Sequence, residues 1–353
     1  MWPATRSPLD ATRAAAAPAY GLVSVPMHIS CAFATSMATP DQIAEAERLG
    51  YMRAWVYDSP ALYPDAWMTL AIAAGHTSTI GLGPAVLIPS LRHPMVNASA
   101  VATLAALAPG RVSVAVGAGF TGRYTMGQKP LRWAEVEEYV VAVRALLRGE
   151  AAEWEGAPIR MLHTAGFGAE RPIEVPFLIG ADGPRGSAVA ERVADGIFAA
   201  GFPNPRAVGR PHVLLQFGTV LDEQEDVRDR RVLDAAGPAV AVVFHATYER
   251  GGADAVRGLP GGDAWVTAIE AIPARERHLT THEGHLVEVT PLDEAAVIEA
   301  ADLIPAMSFS GTPEVLRKKV AELEAIGVTE IAYQPAGPDI PAELRRMAAA
   351  LEL

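Results

Sequence analysis

Short apolar runs alternate along this chain with segments of helical period. Met27–Phe33 is apolar throughout and predicts a strand. Thr39-Pro40-Asp41 then opens a helix to Leu49, with Thr39 as N-cap, Pro40 in the first turn and Gly50 closing it. The same alternation continues with a strand at Arg53–Tyr57, a helix at Asp65–Ala74, a strand at Thr79–Ile88 and a helix at Pro94–Leu107. Val112–Val116 predicts the fourth strand. Val136, Tyr139, Val140, Val143, Leu146 and Leu147 mark one face of a helix over Leu131–Leu147. Glu153–Met161 interrupts as a hairpin or loop. Strands at Val175–Gly180, Gly196–Ala200 and Val213–Leu221 follow, with helices at Ser187–Ala194 and Arg228–Ala246. Residues 247–306 break the rhythm with Gly-Gly pairs and scattered histidines. Thr312-Pro313-Glu314 opens a helix to Ile326, Thr329–Gln334 is the last strand, and Ala342–Leu351 the last helix.

Strands apolar on both faces belong to parallel sheets covered by helices. Eight of them over this length predict an α/β fold, a single (β/α)8 TIM barrel with insertions after strand 4 and strand 7. An open doubly wound sheet is the rival arrangement. The domain expected is residues 26–353, preceded by a flexible arm over 1–25.

Composition changes this picture little. Half of the 353 residues are apolar, enough for a large core resting on aliphatic residues, since aromatics are only 7 %. A net charge of −12 argues against a general nucleic-acid or anionic-membrane binder. Cys31 is the only cysteine, so no intramolecular disulfide forms; its apolar surroundings predict a buried, inert thiol, and a cytoplasmic protein is expected. No run approaches a membrane span, and Pro18 interrupts the Ala14–Ala17 run that a signal peptide would need to extend.

Three local patterns carry candidate chemistry. Gly117-Ala-Gly119-Phe-Thr-Gly122 matches a dinucleotide fingerprint by letter, but no βαβ unit surrounds it. It reads better as a glycine-rich bend at a strand's C-terminal end, where a planar ring can approach the backbone. Gly180-Ala-Asp-Gly-Pro-Arg-Gly186 follows a strand and opens a helix, an arrangement whose amides form an anion nest. Arg185 can add charge there, and Asp182 suits an anion site only if its side chain turns away to cap the helix. His278, His282 and His285 share the spacing of one helical face, but Gly284 and the order of residues do not make a zinc motif, and no metal is expected. Arg92 and His93 can contact an anion or stabilise their loop. Trp55, Trp67 and Trp133 read as core, and Asn97-Ala-Ser99 as a helix segment despite its glycosylation letters.

Leu82-Gly-Pro-Ala-Val-Leu-Ile-Pro89, Leu91-Arg-His-Pro94, Ala102–Leu107, Pro109-Gly-Arg111, Val116–Gly119, Ile179–Pro184, Ala194-Asp-Gly196, Gly311–Val315, Gly327-Val328 and Gln334-Pro335 run in the order seen in the luciferase-like monooxygenase superfamily, which the chain resembles. Asp58–Tyr63 and the His278–His285 segment are most similar to its deazaflavin (coenzyme F420) branch. The resemblance implies an F420-dependent oxidoreductase that moves a hydride to or from a small organic substrate. An FMN-dependent monooxygenase using O2 and a non-catalytic cofactor-binding barrel are the alternatives. It implies a cofactor held by Ala85, Val86, Gly117, Ala118, Gly119, Ala181, Asp182 and Gly183, with a cis peptide at Ala85–Val86. Relatives carry a histidine where this chain has Asp58 and Ser59, so Asp58 and His285 become the expected catalytic groups. Ser59, Phe120 and His282 become the expected substrate contacts. Family members are usually dimers, and a homodimer is expected.

Overall fold

The computed structural model describes residues 27–207 and 209–353. The arm expected over residues 1–25 lies outside the described residues. Eight parallel strands form the barrel wall. The first four are β1 (His28–Phe33), β2 (Arg53–Val56), β3 (Gly81–Pro84) and β4 (Val114–Gly117). An antiparallel hairpin, β5 (Ala152–Trp154) and β6 (Ala157–Ile159), interrupts. The wall resumes with β7 (Phe177–Gly180), β8 (Gly196–Ala200), β9 (His212–Phe217) and β10 (Glu330–Gln334). The sheet order is β3-β2-β1-β10-β9-β8-β7-β4. Parallel bridges Leu82–Val112 and Leu87–Val116 join β3 to β4 and close the cylinder. The expected (β/α)8 barrel is therefore present.

Between those bridges the β3 side advances five residues and the β4 side four. One residue is extra, which is a bulge. It falls on Ala85-Val86, whose peptide bond is cis, where the resemblance placed it. The strand expected over Thr79–Ile88 ends at this bulge.

The outer helices are α1 (Thr39–Arg48), α2 (Ala66–His76), α3 (Pro94–Leu107), α5 (Trp133–Arg148), α6 (Pro184–Val193), α12 (Pro313–Ala325) and α13 (Ile340–Leu351), with a short α4 (Phe120–Tyr124) before α5. Among the described residues no helix lies between β8 and β9. Helix α1 corrects one expectation: Thr39 lies inside it and Ala38 is the N-cap. Its Oγ1 instead accepts from the Ser36 N–H, tightening the turn before the helix. Asp65 is a working N-cap, accepting from Trp67 and Met68.

Between β9 and α12 the chain forms α7 (Arg230–Arg257), α8 (Gly262–Glu270), α9 (Arg277–Thr281), α10 (Glu294–Glu299) and α11 (Ile304–Met307). This insertion has its own apolar cluster around Phe244, Trp265, Ile269, Val297 and Ile304. Inside the barrel, small residues Ala32, Ala115 and Ala332 make room for Trp55 and Phe198, which meet edge to face at 5.4 Å. The Trp55 indole donates to Glu330. Cys31 is fully buried, and burial pushes its thiol well up, as an inert core residue requires. Asn97 is also buried, donating to the Tyr139 hydroxyl and accepting from Trp67. Among the described residues no helix is long and apolar enough to cross a membrane.

Candidate functional site

The C-terminal strand ends bring most of the expected site residues to one rim. Gly117 and Gly180 are register partners on adjacent strands. Both are glycine because Val86 leans over them: a Cβ on Gly117 would lie 2.7 Å from its side chain, and one on Gly180 2.6 Å. The bulge, the Gly117–Gly119 bend and the Gly180–Gly183 turn therefore form one continuous surface. Ala118 is half-buried, and Gly119 turns the chain into α4 at φ 78°.

The Gly180–Gly183 turn leads into α6 with Gly183 as N-cap and Pro184 in the first turn. Ala181 N is used by the sheet, donating to Phe198 O. Among the described residues nothing accepts from the N–H groups of Asp182, Gly183, Arg185 or Gly186. Unclaimed donors at a helix N-terminus attract an anion. A Cβ on Gly183 would meet nothing within 4 Å, so the approach is open. Asp182 does not cap α6. Its Oδ1 accepts from Ala200 N at 2.9 Å, tying the turn to β8 and taking the carboxylate off the amides. Asn204 braces the turn from behind, its Nδ2 donating to Ala181 O and Ser187 Oγ.

Asp58 lies at the end of β2 and is 3 % exposed. The Arg92 guanidinium donates to both its oxygens at 2.8 Å, and to Asp65 at 2.7 Å. Burial raises the Asp58 carboxyl despite Arg92. The pair spans the loops after β2 and β3 and steadies the base of the bulge. His93 caps α3, accepting from Met95 N. Of the two readings left open for Arg92 and His93, both act within the loop. Ser59 lies against Gly122.

The insertion covers the mouth. The Tyr63 hydroxyl donates to His285 O, Gln334 Nε2 donates to Leu286 O, and the Tyr57 hydroxyl donates to Gln334. Leu286 thereby joins the apolar cluster inside the barrel. Phe120 packs edge-on against Tyr124 at 4.8 Å and lies under the Arg250 guanidinium at 5.1 Å. His282 stacks on Tyr124.

The three spaced histidines do not share a helical face. Helix α9 ends at Thr281, and Gly284 at φ 61° turns the chain before His285. His278 lies toward Gly127 instead. His282 and His285 pack together with His245 of α7, with ring centroids 5.7–6.0 Å apart.

A family model described as luciferase-like monooxygenase matches residues 26–330. The chain belongs to the luciferase-like monooxygenase family. Among its relatives, a 5,10-methylenetetrahydromethanopterin reductase of Methanopyrus kandleri is 28 % identical over 84 % of this chain and 88 % of that protein. An F420-dependent glucose-6-phosphate dehydrogenase of Beutenbergia cavernae is 37 % identical over 38 % of this chain and 41 % of that protein. The coenzyme F420 dependent tetrahydromethanopterin reductase structure from Methanopyrus kandleri superposes with a TM-score of 0.63, at 21 % identity, covering 93 % of this chain and 99 % of that one. That superposition shows a shared fold.

Within this luciferase-like barrel, several groups escaped the sequence reading. His245 sits in a helical pattern where it reads as one more core position. Arg250, one turn beyond it, falls past the expected helix end at Ala246. Tyr63 and Gln334 reach the insertion through contacts 222 and 48 residues apart in sequence, which no local pattern announces.

Proposed function

We propose that this protein is an oxidoreductase that uses coenzyme F420 to move a hydride to or from a small organic substrate carrying a C=C, C=N or C=O group. The observation that carries the reading is the contiguity of two features: a bulge at Ala85-Val86 standing over the paired Gly117 and Gly180, and, at the end of the same strand pair, open amides at Asp182–Gly186. A flat ring bearing a phosphorylated tail needs both, side by side. The names of relatives and of the superposed reductase support the same cofactor.

The residues present fit such a group. The N–H groups of Asp182, Gly183, Arg185 and Gly186 hold the phosphate, and exposed Arg185 adds charge. Ala85, Val86, Gly117, Ala118 and Gly119 line the ring's place. When bound, the cofactor supplies the hydride chemistry; the protein supplies orientation and a dry pocket. Leu286 and Tyr63 exclude water at the mouth, and Ser59 and Phe120 border the substrate side. Asp58, engaged on both oxygens by Arg92, acts through the loop it steadies and not as a proton donor. Burial drives the His285 imidazole well below its ordinary value, so it is not poised as a proton donor at neutral pH.

The test is anaerobic titration with oxidised and reduced F420, followed by fluorescence, with FMN in parallel. Saturable F420 binding well below millimolar is the expected result. Binding of neither ends the proposal. Tight binding of reduced FMN with oxygen uptake replaces it with a flavin monooxygenase.

A further inference from the structure

His245, His282 and His285 are 2 %, 0 % and 7 % exposed. One nitrogen from each lies within 4.8 Å of the others'. Buried polar nitrogens are almost always satisfied, yet among the described residues His245 Nδ1, His285 Nδ1 and both nitrogens of His282 have no hydrogen-bond partner. The opposite side of each ring faces an oxygen. His245 Nε2 lies 3.0 Å from Asp293 Oδ1, His285 Nε2 3.2 Å from Thr121 Oγ1, and His282 Nε2 3.5 Å from Glu249 Oε1. The Asp293 carboxylate, which only accepts, holds the proton on His245 Nε2 and leaves the lone pair on Nδ1; the Thr121 hydroxyl and the longer Glu249 contact are compatible with the same tautomer on the other two rings. Asp293 is itself fixed by Trp265 Nε1 and Thr290 Oγ1. An imidazole oriented by a carboxylate that is in turn hydrogen-bonded is the outer arrangement of histidine metal sites.

We propose that His245, His282 and His285 bind a divalent cation of the zinc class through their free ring nitrogens, with the fourth position left to water or a small oxygen ligand. Three neutral imidazoles select zinc, cobalt or copper over magnesium and calcium, which prefer oxygen. Zinc bonds of about 2.0–2.1 Å put tetrahedral ligands roughly 3.3 Å apart, so the rings draw together modestly from their 4.8 Å limit. Asp293 and Glu249 offset the cation's charge. The ion ties α7 to the turn that places Leu286 over the mouth. This site stands apart from the cofactor reading and does not depend on it.

The full-length untagged chain is stripped with EDTA and dialysed against micromolar zinc, and its metal content and melting temperature are measured. Cobalt(II), whose tetrahedral complexes absorb strongly in the visible, reports geometry. About one zinc per chain, a tetrahedral cobalt spectrum and a zinc-dependent rise in melting temperature are expected. His282→Ala abolishes all three, whereas His278→Ala changes none. Asp293→Asn keeps the shape of the side chain and weakens zinc about 10- to 100-fold, which keeps the test decisive if the alanine variant does not fold. The proposal is overturned if the wild-type chain retains no zinc, if its cobalt spectrum is octahedral, or if Asp293→Asn binds zinc as tightly as the wild type.

Discussion

The bend at Gly117–Gly119 and the turn at Gly180–Gly183 sit side by side on the rim, with Gly117 and Gly180 paired across adjacent strands. Both are short, glycine-flanked and end a strand. Their glycines nevertheless do different work. In the first, side chains already fill the space a Cβ would take, from Val86 at Gly117 and from Ile88 at Gly119. In the second, Gly183 faces open space and, among the described residues, nothing accepts from its neighbours' amides. Glycine therefore serves packing in one and access in the other, and only the environment tells them apart.

The two turns also differ in their supports, which gives the largest expected effect. The Gly117 bend is tied by backbone groups, Gly117 N donating to Leu87 O and Leu131 N to Ala118 O. The Gly183 turn rests on Asn204, whose backbone N–H donates to His212 Nε2 at 3.2 Å. Burial lowers His212 from 6.5 to about 4. A depressed histidine contributes its stability above 6.5 and loses it as pH falls toward 4. At about 1.4 kcal/mol per pH unit, that window is worth about 3 kcal/mol. Protonation also removes the acceptor that Asn204 needs. Urea unfolding of wild type against His212→Gln, between pH 7 and 4, should show the wild type losing about 3 kcal/mol more. Hydrogen exchange should quicken at 181–187 before it does at 117–119. Equal acid sensitivity in both segments would break the comparison.

Packing comes next. Gly117→Ala forces a methyl onto Val86 and should cost about 1–3 kcal/mol of unfolding free energy. The double variant Gly117→Ala/Val86→Ala should be less destabilised than the sum of the single changes, by about 1 kcal/mol. A neutral Gly117→Ala would mean that Val86 is free to move, and the close-approach account would fail.

How much of this was legible in the sequence depends on range. The strands were readable because both faces are apolar, and Pro94–Leu107 matched its helix end to end. Helix α4 was missed because five residues are too few to show a period. Helix α7 runs past its expected end at Ala246 as far as the Gly251-Gly252 pair, where Gly252 at φ 72° and ψ −172° breaks it into two helical segments, so the pair read as a break does interrupt the helix. In the site, the rim turns were visible as glycine patterns, and the place of the bulge came from the family resemblance. The partners were not visible. Asp58 with Arg92, Asp182 with Ala200, and His245 with Asp293 are set by how strands and insertion stack. Asp182 looked like a helix cap because that is the local option; the neighbouring strand's free amide outcompeted it.

The smallest structural effect falls at Gly183, and it separates the two kinds of glycine most sharply. Its φ of −135° is ordinary extended backbone, and its Cβ position is empty. Gly183→Ala keeps the N–H and should leave stability within about 0.5 kcal/mol of the wild type. The methyl, however, stands where an anion would approach the amides, so F420 affinity in the anaerobic titration should fall about tenfold, or about 1.4 kcal/mol. If the variant is instead as unstable as Gly117→Ala, the turn is packed and not open. If it is stable and binds as tightly as the wild type, the anion is gripped elsewhere on the rim. Only unchanged stability with weakened binding fits a glycine kept for access.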